Sequence, residues 1–113
     1  MCEMIHSLSG ISSERFMLRD YYLAIACEMC GVTPHDVMVL KKSNRLASTA
    51  RRAVIYALYS AGGISGNTAG AMMGVSQGRA WSAIRLATHQ LCHPRQYPLF
   101  NDIVKALDNV SNY

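Results

Sequence analysis

From Lys41 to Arg95 the chain has no aspartate and no glutamate. Nowhere does a paired-carboxylate or Ser/His/Asp arrangement stand out, so general acid–base or nucleophilic catalysis is not expected. No G-x-x-x-x-G-K-[ST] occurs, which excludes a P-loop nucleotide site. No apolar run approaches the roughly 18–20 residues that span a bilayer. The opening MCEMIHSLSGISSE has Glu3 and no basic stretch, unlike a secretory signal. The expected setting is therefore cytoplasmic, with no membrane partner and with reduced thiols. Strand-like alternation, internal repeats and low-complexity tracts are also missing, and the prolines number three.

The four cysteines do not assemble an evident metal motif. Cys27 and Cys30 form C-x-x-C, and His89, Cys92 and His93 lie together further on. The second group lacks zinc-finger spacing, and Cys27 and Cys30 fall on an apolar helical stripe where thiols pack as small hydrophobes. The βαβ context of a redox C-x-x-C is absent. No metal and no cofactor is implied. The seven methionines read as core filler.

What is present is hydrophobic periodicity and a displaced charge. The chain has 113 residues, is 50% hydrophobic and carries a net charge of +4. That is enough to build one core without staples. Residues 1–11 read as a flexible N-terminal arm and 12–113 as a single helical domain. A first helix starts near Ser12, with Phe16, Leu23, Cys27 and Cys30 on one stripe and Ile25 and Ala26 beside it, and stops at Gly31. Thr33-Pro34-His35-Asp36 has the form of a helix start, and the helix that follows reaches about Leu40, burying Val37 and Leu40. Lys41-Lys42-Ser43-Asn44-Arg45 reads as a basic loop. A long helix is expected from Ser48 to Ala61, burying Ala50, Ala53, Val54, Ala57, Leu58 and Ala61. Arg51 and Arg52 would then sit in its first turn, where a bound phosphate would meet both guanidinium groups and free N–H groups. A last helix, Leu99 to Val110, carries Phe100, Ile103, Val104, Leu107 and Val110.

The centre of this arrangement is ISGNTAGAMMGVSQGRAWSAIRLATH, Ile64 to His89. It reads as a short helix rich in small residues, a Gly74-Val75-Ser76 turn and a longer helix. Ala80, Trp81, Ile84, Ala87, Thr88 and Leu91 lie on or near its inner face, with Trp81 as an anchor in the core. Gln77, Arg79, Ser82, Arg85 and Gln90 lie on its outer face. This is the pattern of a helix-turn-helix. Of the eight basic residues from Lys41 to Arg95, two lie within it and six flank it, whereas residues 1–40 hold two arginines against five acids. Such a field suits a polyanion.

From about Ile25 to Asp108 the sequence resembles the C-terminal DNA-binding domain (domain IV) of the bacterial replication initiator DnaA, a Trp-repressor-like fold. ACEMCGVTPHDVMVLKKSNR is similar to that family's amphipathic helix, short helix and basic loop. ARRAVIYALYSAGGIS is similar to its long helix, TAGAMMGVSQGRAWSAIRLA to its helix-turn-helix and HPRQYPLFNDIVKAL to its closing segment. The resemblance implies an all-α bundle of about six helices, acting as a stand-alone DNA-binding module without the ATPase. It implies that Arg45, in the basic loop, reaches the minor groove and that Arg52, with Arg51 beside it, contacts backbone phosphate. The family's Arg-Asp-His-Thr-Thr reading run is replaced by Ser76-Gln77-Gly78-Arg79-Ala80. The frame is kept and the reading residues are exchanged.

The expected function is binding of double-stranded DNA to regulate transcription or replication initiation, in association with the nucleoid. Base contacts are expected from Gln77, Arg79, Ser82 and Arg45, and phosphate contacts from Lys41, Lys42, Arg51, Arg52 and Arg85. The alternative is a module of the same type that binds or inhibits a replication or transcription protein. A second copy of the chain is a further candidate partner, since helix-turn-helix proteins often dimerise on palindromic sites.

Overall fold

The computed structural model describes residues 11–39 and 44–111, and among these it is all-helical, with six helices and no strand. They are α1 (Ser13–Cys30), α2 (Pro34–Val39), α3 (Arg45–Ser60), α4 (Gly66–Met72), α5 (Gln77–Leu91) and α6 (Pro98–Ser111). The all-α expectation therefore holds. The expected arm lies outside the described residues except for Ile11, which packs against the core.

Local chemistry sets the ends of these helices. Ser12 accepts from the Arg15 amide to begin α1, and Gly31 ends it in the left-handed region at φ 69°. Thr33 and Asp36 cap each other at the start of α2. The Thr33 N–H donates to Asp36 Oδ2 and the Asp36 N–H to Thr33 Oγ1, both at 3.1 Å. This reciprocal pair satisfies two donors that a helix start otherwise leaves open. Leu40, Lys41, Lys42 and Ser43 lie outside the described residues.

α3 is the axis of the bundle and touches each of the other five helices. Its buried stripe is Ala47, Ala50, Ala53, Val54, Ile55, Ala57 and Leu58. The alanines let neighbouring helices approach closely, while Val54, Ile55 and Leu58 supply bulk. Around it the core takes Tyr22, Leu23 and Cys27 from α1, Met72 from α4, Ile84 from α5 and Ile103 and Leu107 from α6. Full burial of each large side chain contributes about 1.5–3 kcal/mol.

Two expectations about α3 are corrected. It begins at Arg45, three residues before Ser48, because Asn44 is the N-cap and accepts from the Ala47 amide at 2.9 Å. Arg51 and Arg52 therefore lie in the body of the helix, where the amides are already bonded, and a phosphate shared with free N–H groups is not available to them. Ala61 is exposed beyond the helix end instead of buried. Among the described methionines, Met72 and Met73 fill the core, but Met17 and Met29 are exposed. Tyr22, absent from the expected stripe, is fully buried.

Candidate nucleic-acid interface

α4 and α5 form a helix-turn-helix whose closeness depends on missing side chains. Gly70 is buried at their crossing, where a Cβ would lie 2.7 Å from Ala80 Cβ. Gly74 then turns the chain at φ 71°, a region that favours glycine. Its neighbour Val75 tucks against the core. Ser76 accepts from the Arg79 amide at 3.3 Å and starts α5.

α5 is held by Ala80, Ile84, Ala87 and Gln90, which are buried. At 3.6 residues per turn, Gly78, Ser82, Arg85 and His89 stand on the opposite, exposed line. Gln77 and Trp81 flank this line on the α4 side. Arg79 and Leu86 flank it on the α3 side, where they border a groove of about 230 Å³ with Ser48, Arg51 and Ser82. The groove brings together residues separated by some thirty positions in sequence, and among the described residues no carboxylate lines it.

Arg51 is fixed there by donating from Nη1 to the Val37 carbonyl at 3.1 Å. Burial, and then the nearby Arg79 charge, lower its pKa from the usual arginine value. Among the described residues these two cations have no counterion, and an anion entering between them would relieve both costs. The ion pair seen among the described residues, Arg19–Asp20, involves neither. Arg45 is exposed at the first position of α3, on the same helix.

Three side chains sit where the sequence did not indicate. Gln90 is buried at 8% exposure, not on the outer face, and accepts from Arg52 Nη1 at 3.1 Å. Arg52 is half-buried, held on Gln90 and 5.8 Å from the Phe100 ring centre, so it is less free than a surface phosphate ligand. Trp81 is 39% exposed and not a core anchor. Its indole lies over Gly66, donates to Asn67 Oδ1 at 2.8 Å and meets the Tyr59 ring edge-on at 5.5 Å. Gly66 leaves room for the ring, since a Cβ there would lie 2.6 Å from it. The placement follows from spacing, because Trp81 falls at the margin of the buried arc.

The structure thus gathers Gln77, Arg79, Ser82, Arg85 and Arg51 around α5 and its groove, with Arg52 set back. Lys41 and Lys42 lie outside the described residues. Cys27 and Cys30 are buried in α1. Burial first, then Cys30 and Asp36, pushes the Cys27 thiol up to about 11. Among the described residues, no three His, Cys, Asp or Glu side chains converge as a metal site, and no helix is long and apolar enough to cross a membrane. Compared with protein-family models, curated proteins and solved structures, the chain matches none.

Proposed function

We propose that this chain binds double-stranded DNA, with α5 in the major groove, as a regulator of transcription or replication initiation. The observation that carries this reading is the surface formed by the outer face of α5 and the α3 groove, free of acids among the described residues, where Arg51 and Arg79 have no counterion. A helix of this kind fits a major groove about 12 Å wide. The likeness to the DnaA domain IV frame supports the same reading.

The geometry favours a change of role for three arginines. Arg85 and Ser82, on the outermost line of α5, are assigned to base edges, with Gln77 at the margin. Arg79, beside Arg51, is assigned to the phosphate backbone along with Arg45. Arginine reads guanine O6 and N7, and glutamine reads adenine N6 and N7. The test is a titration of duplex DNA at several salt concentrations. Arg51→Ala should weaken binding to every sequence and flatten the salt dependence by about one unit of slope. Absence of binding at low salt would overturn the proposal.

One observation favours a second reading, a protein-binding module. Met17 and Tyr21 are 68% and 61% exposed on α1, with Ala24 and Ile25 beside them. A replication or transcription protein, or a second copy of the chain, could cover that stripe. Capture of a partner from nuclease-treated extract that is lost in Tyr21→Glu would support it, and capture unchanged by the substitution would count against it.

A further inference from the structure

Next to the groove lined by Arg79, and sharing Ser48 and Arg52 with it, a second crevice of about 730 Å³ opens between α3, the end of α5 and the segment leading into α6. Its walls include Arg45, Thr49, Arg52, Gln96 and Tyr97, with Gln90 beneath. Among the described residues, no carboxylate lines it.

Its base is built from buried polar groups. Gln90 and Asn101 are the buried polar side chains of the described core. Asn101 Nδ2 donates to the Gln90 carbonyl at 3.1 Å and to the Tyr97 carbonyl at 2.8 Å, which ties the end of α5 to the start of α6. Gln90 in turn accepts from Arg52 Nη1. The relay holds a half-buried guanidinium in one orientation. Of the five N–H donors an arginine carries, this uses one. No buried side-chain nitrogen or oxygen among the described residues lacks a partner, and the Arg52 side chain lines the crevice.

A cation kept partly out of water without a paired carboxylate is costly. Burial and the adjacent Arg51 charge both lower the Arg52 pKa, while Tyr97 acts in the opposite sense. An external anion would complete the site. The donors are spread over two guanidinium groups, a hydroxyl and side-chain amides, which suits a tetrahedral phosphoryl group better than a planar carboxylate.

We propose that this crevice is a phosphate-ester site, centred on Arg52 and bordered by Arg45, Thr49, Gln96 and Tyr97. Its volume admits a nucleoside monophosphate. The phosphoryl group could come from such a free ligand or from a DNA backbone. The site does not depend on base reading by α5.

The test is calorimetric titration of the full chain with inorganic phosphate and with adenosine monophosphate, at ionic strength matched with chloride. Saturable binding is expected, with affinity at least about tenfold lower in Arg52→Met, which keeps the bulk against Phe100. Gln96→Ala and Tyr97→Phe leave the Arg52–Gln90 bond in place and should weaken binding several-fold, so the result stands even where Arg52→Met folds poorly. Lys105→Met, the same charge loss on exposed α6, should leave binding unchanged. Displacement of adenosine monophosphate by duplex DNA identifies the backbone as the source, and simultaneous binding of both identifies the free ester. Absence of saturable binding, or equal binding by all variants, would overturn the site.

Discussion

Gly70 and Gly78 offer the same substitution with opposite expected signs. At Gly70 an added Cβ falls 2.7 Å from Ala80 Cβ, with the Val75 and Ser76 carbonyl oxygens at 3.4 and 3.5 Å. Carbon atoms in contact prefer about 3.5–4.0 Å, so α4 and α5 must part by about 1 Å. The opposing atoms belong to backbone or to an alanine, and none can rotate away. Overpacking of this kind costs about 1–3 kcal/mol, offset by about 1 kcal/mol from replacing glycine in a helix. Gly70→Ala is therefore expected to destabilise by up to about 2 kcal/mol. At Gly78 an added Cβ meets nothing within 4 Å, so Gly78→Ala should stabilise by about 0.5–1 kcal/mol. For a domain of this size the two variants should melt roughly 2–13 °C apart, with wild type between them. Thermal denaturation followed by far-UV circular dichroism measures this. A Gly70→Ala protein as stable as Gly78→Ala would refute the close helix crossing on which the helix-turn-helix rests.

Three other outcomes follow from the same geometry. Asn101→Ala removes one donor each from the Gln90 and Tyr97 carbonyls, which keep the His93 and residue-101 backbone N–H groups. It should cost about 0.5–1.5 kcal/mol per lost bond in urea unfolding, and an unchanged midpoint would contradict the relay. The Cys27 thiol is raised in the fold from 9.0 to about 11. Its contribution to stability is therefore full below about pH 9 and is lost as pH rises toward about 11. Cys27→Ala should flatten the fall in urea midpoint over that window, and an unaltered pH profile would argue against it. Gly78→Leu adds bulk on the outermost line of α5 without a clash in the protein, so it should keep the fold and weaken DNA binding about tenfold or more, as read by quenching of the single tryptophan, Trp81. Undiminished affinity would place the DNA elsewhere.

What the sequence disclosed was local. The Thr33–Asp36 capping pair, the Gly31 stop and the Gly74–Ser76 turn depend on neighbours within a few residues, and each is found as expected. The start of α3 is displaced because Asn44, which polarity assigns to the basic loop, caps the helix, and this moves Arg51 and Arg52 from a helix terminus into its body. Gln90 was misread because polarity alone suggests a surface position. Its burial depends on Arg52, thirty-eight residues away, and on the Asn101 tie. The size of Trp81 suggests a core position, yet its ring is half-covered at the surface by Gly66, Asn67 and Tyr59. The α3–α5 groove was invisible for the same reason, since Arg51 and Arg79 become neighbours only through tertiary packing.

The central claim is that α5 reads DNA, and selection of bound duplexes from a random pool tests it most directly. Wild-type protein should enrich a defined motif, and Arg85→Ala should relax preference at one position within it while leaving the rest, at a cost of about 1–3 kcal/mol for the preferred base. A pool that emerges unenriched, or a motif identical in wild type and Arg85→Ala, would contradict the account.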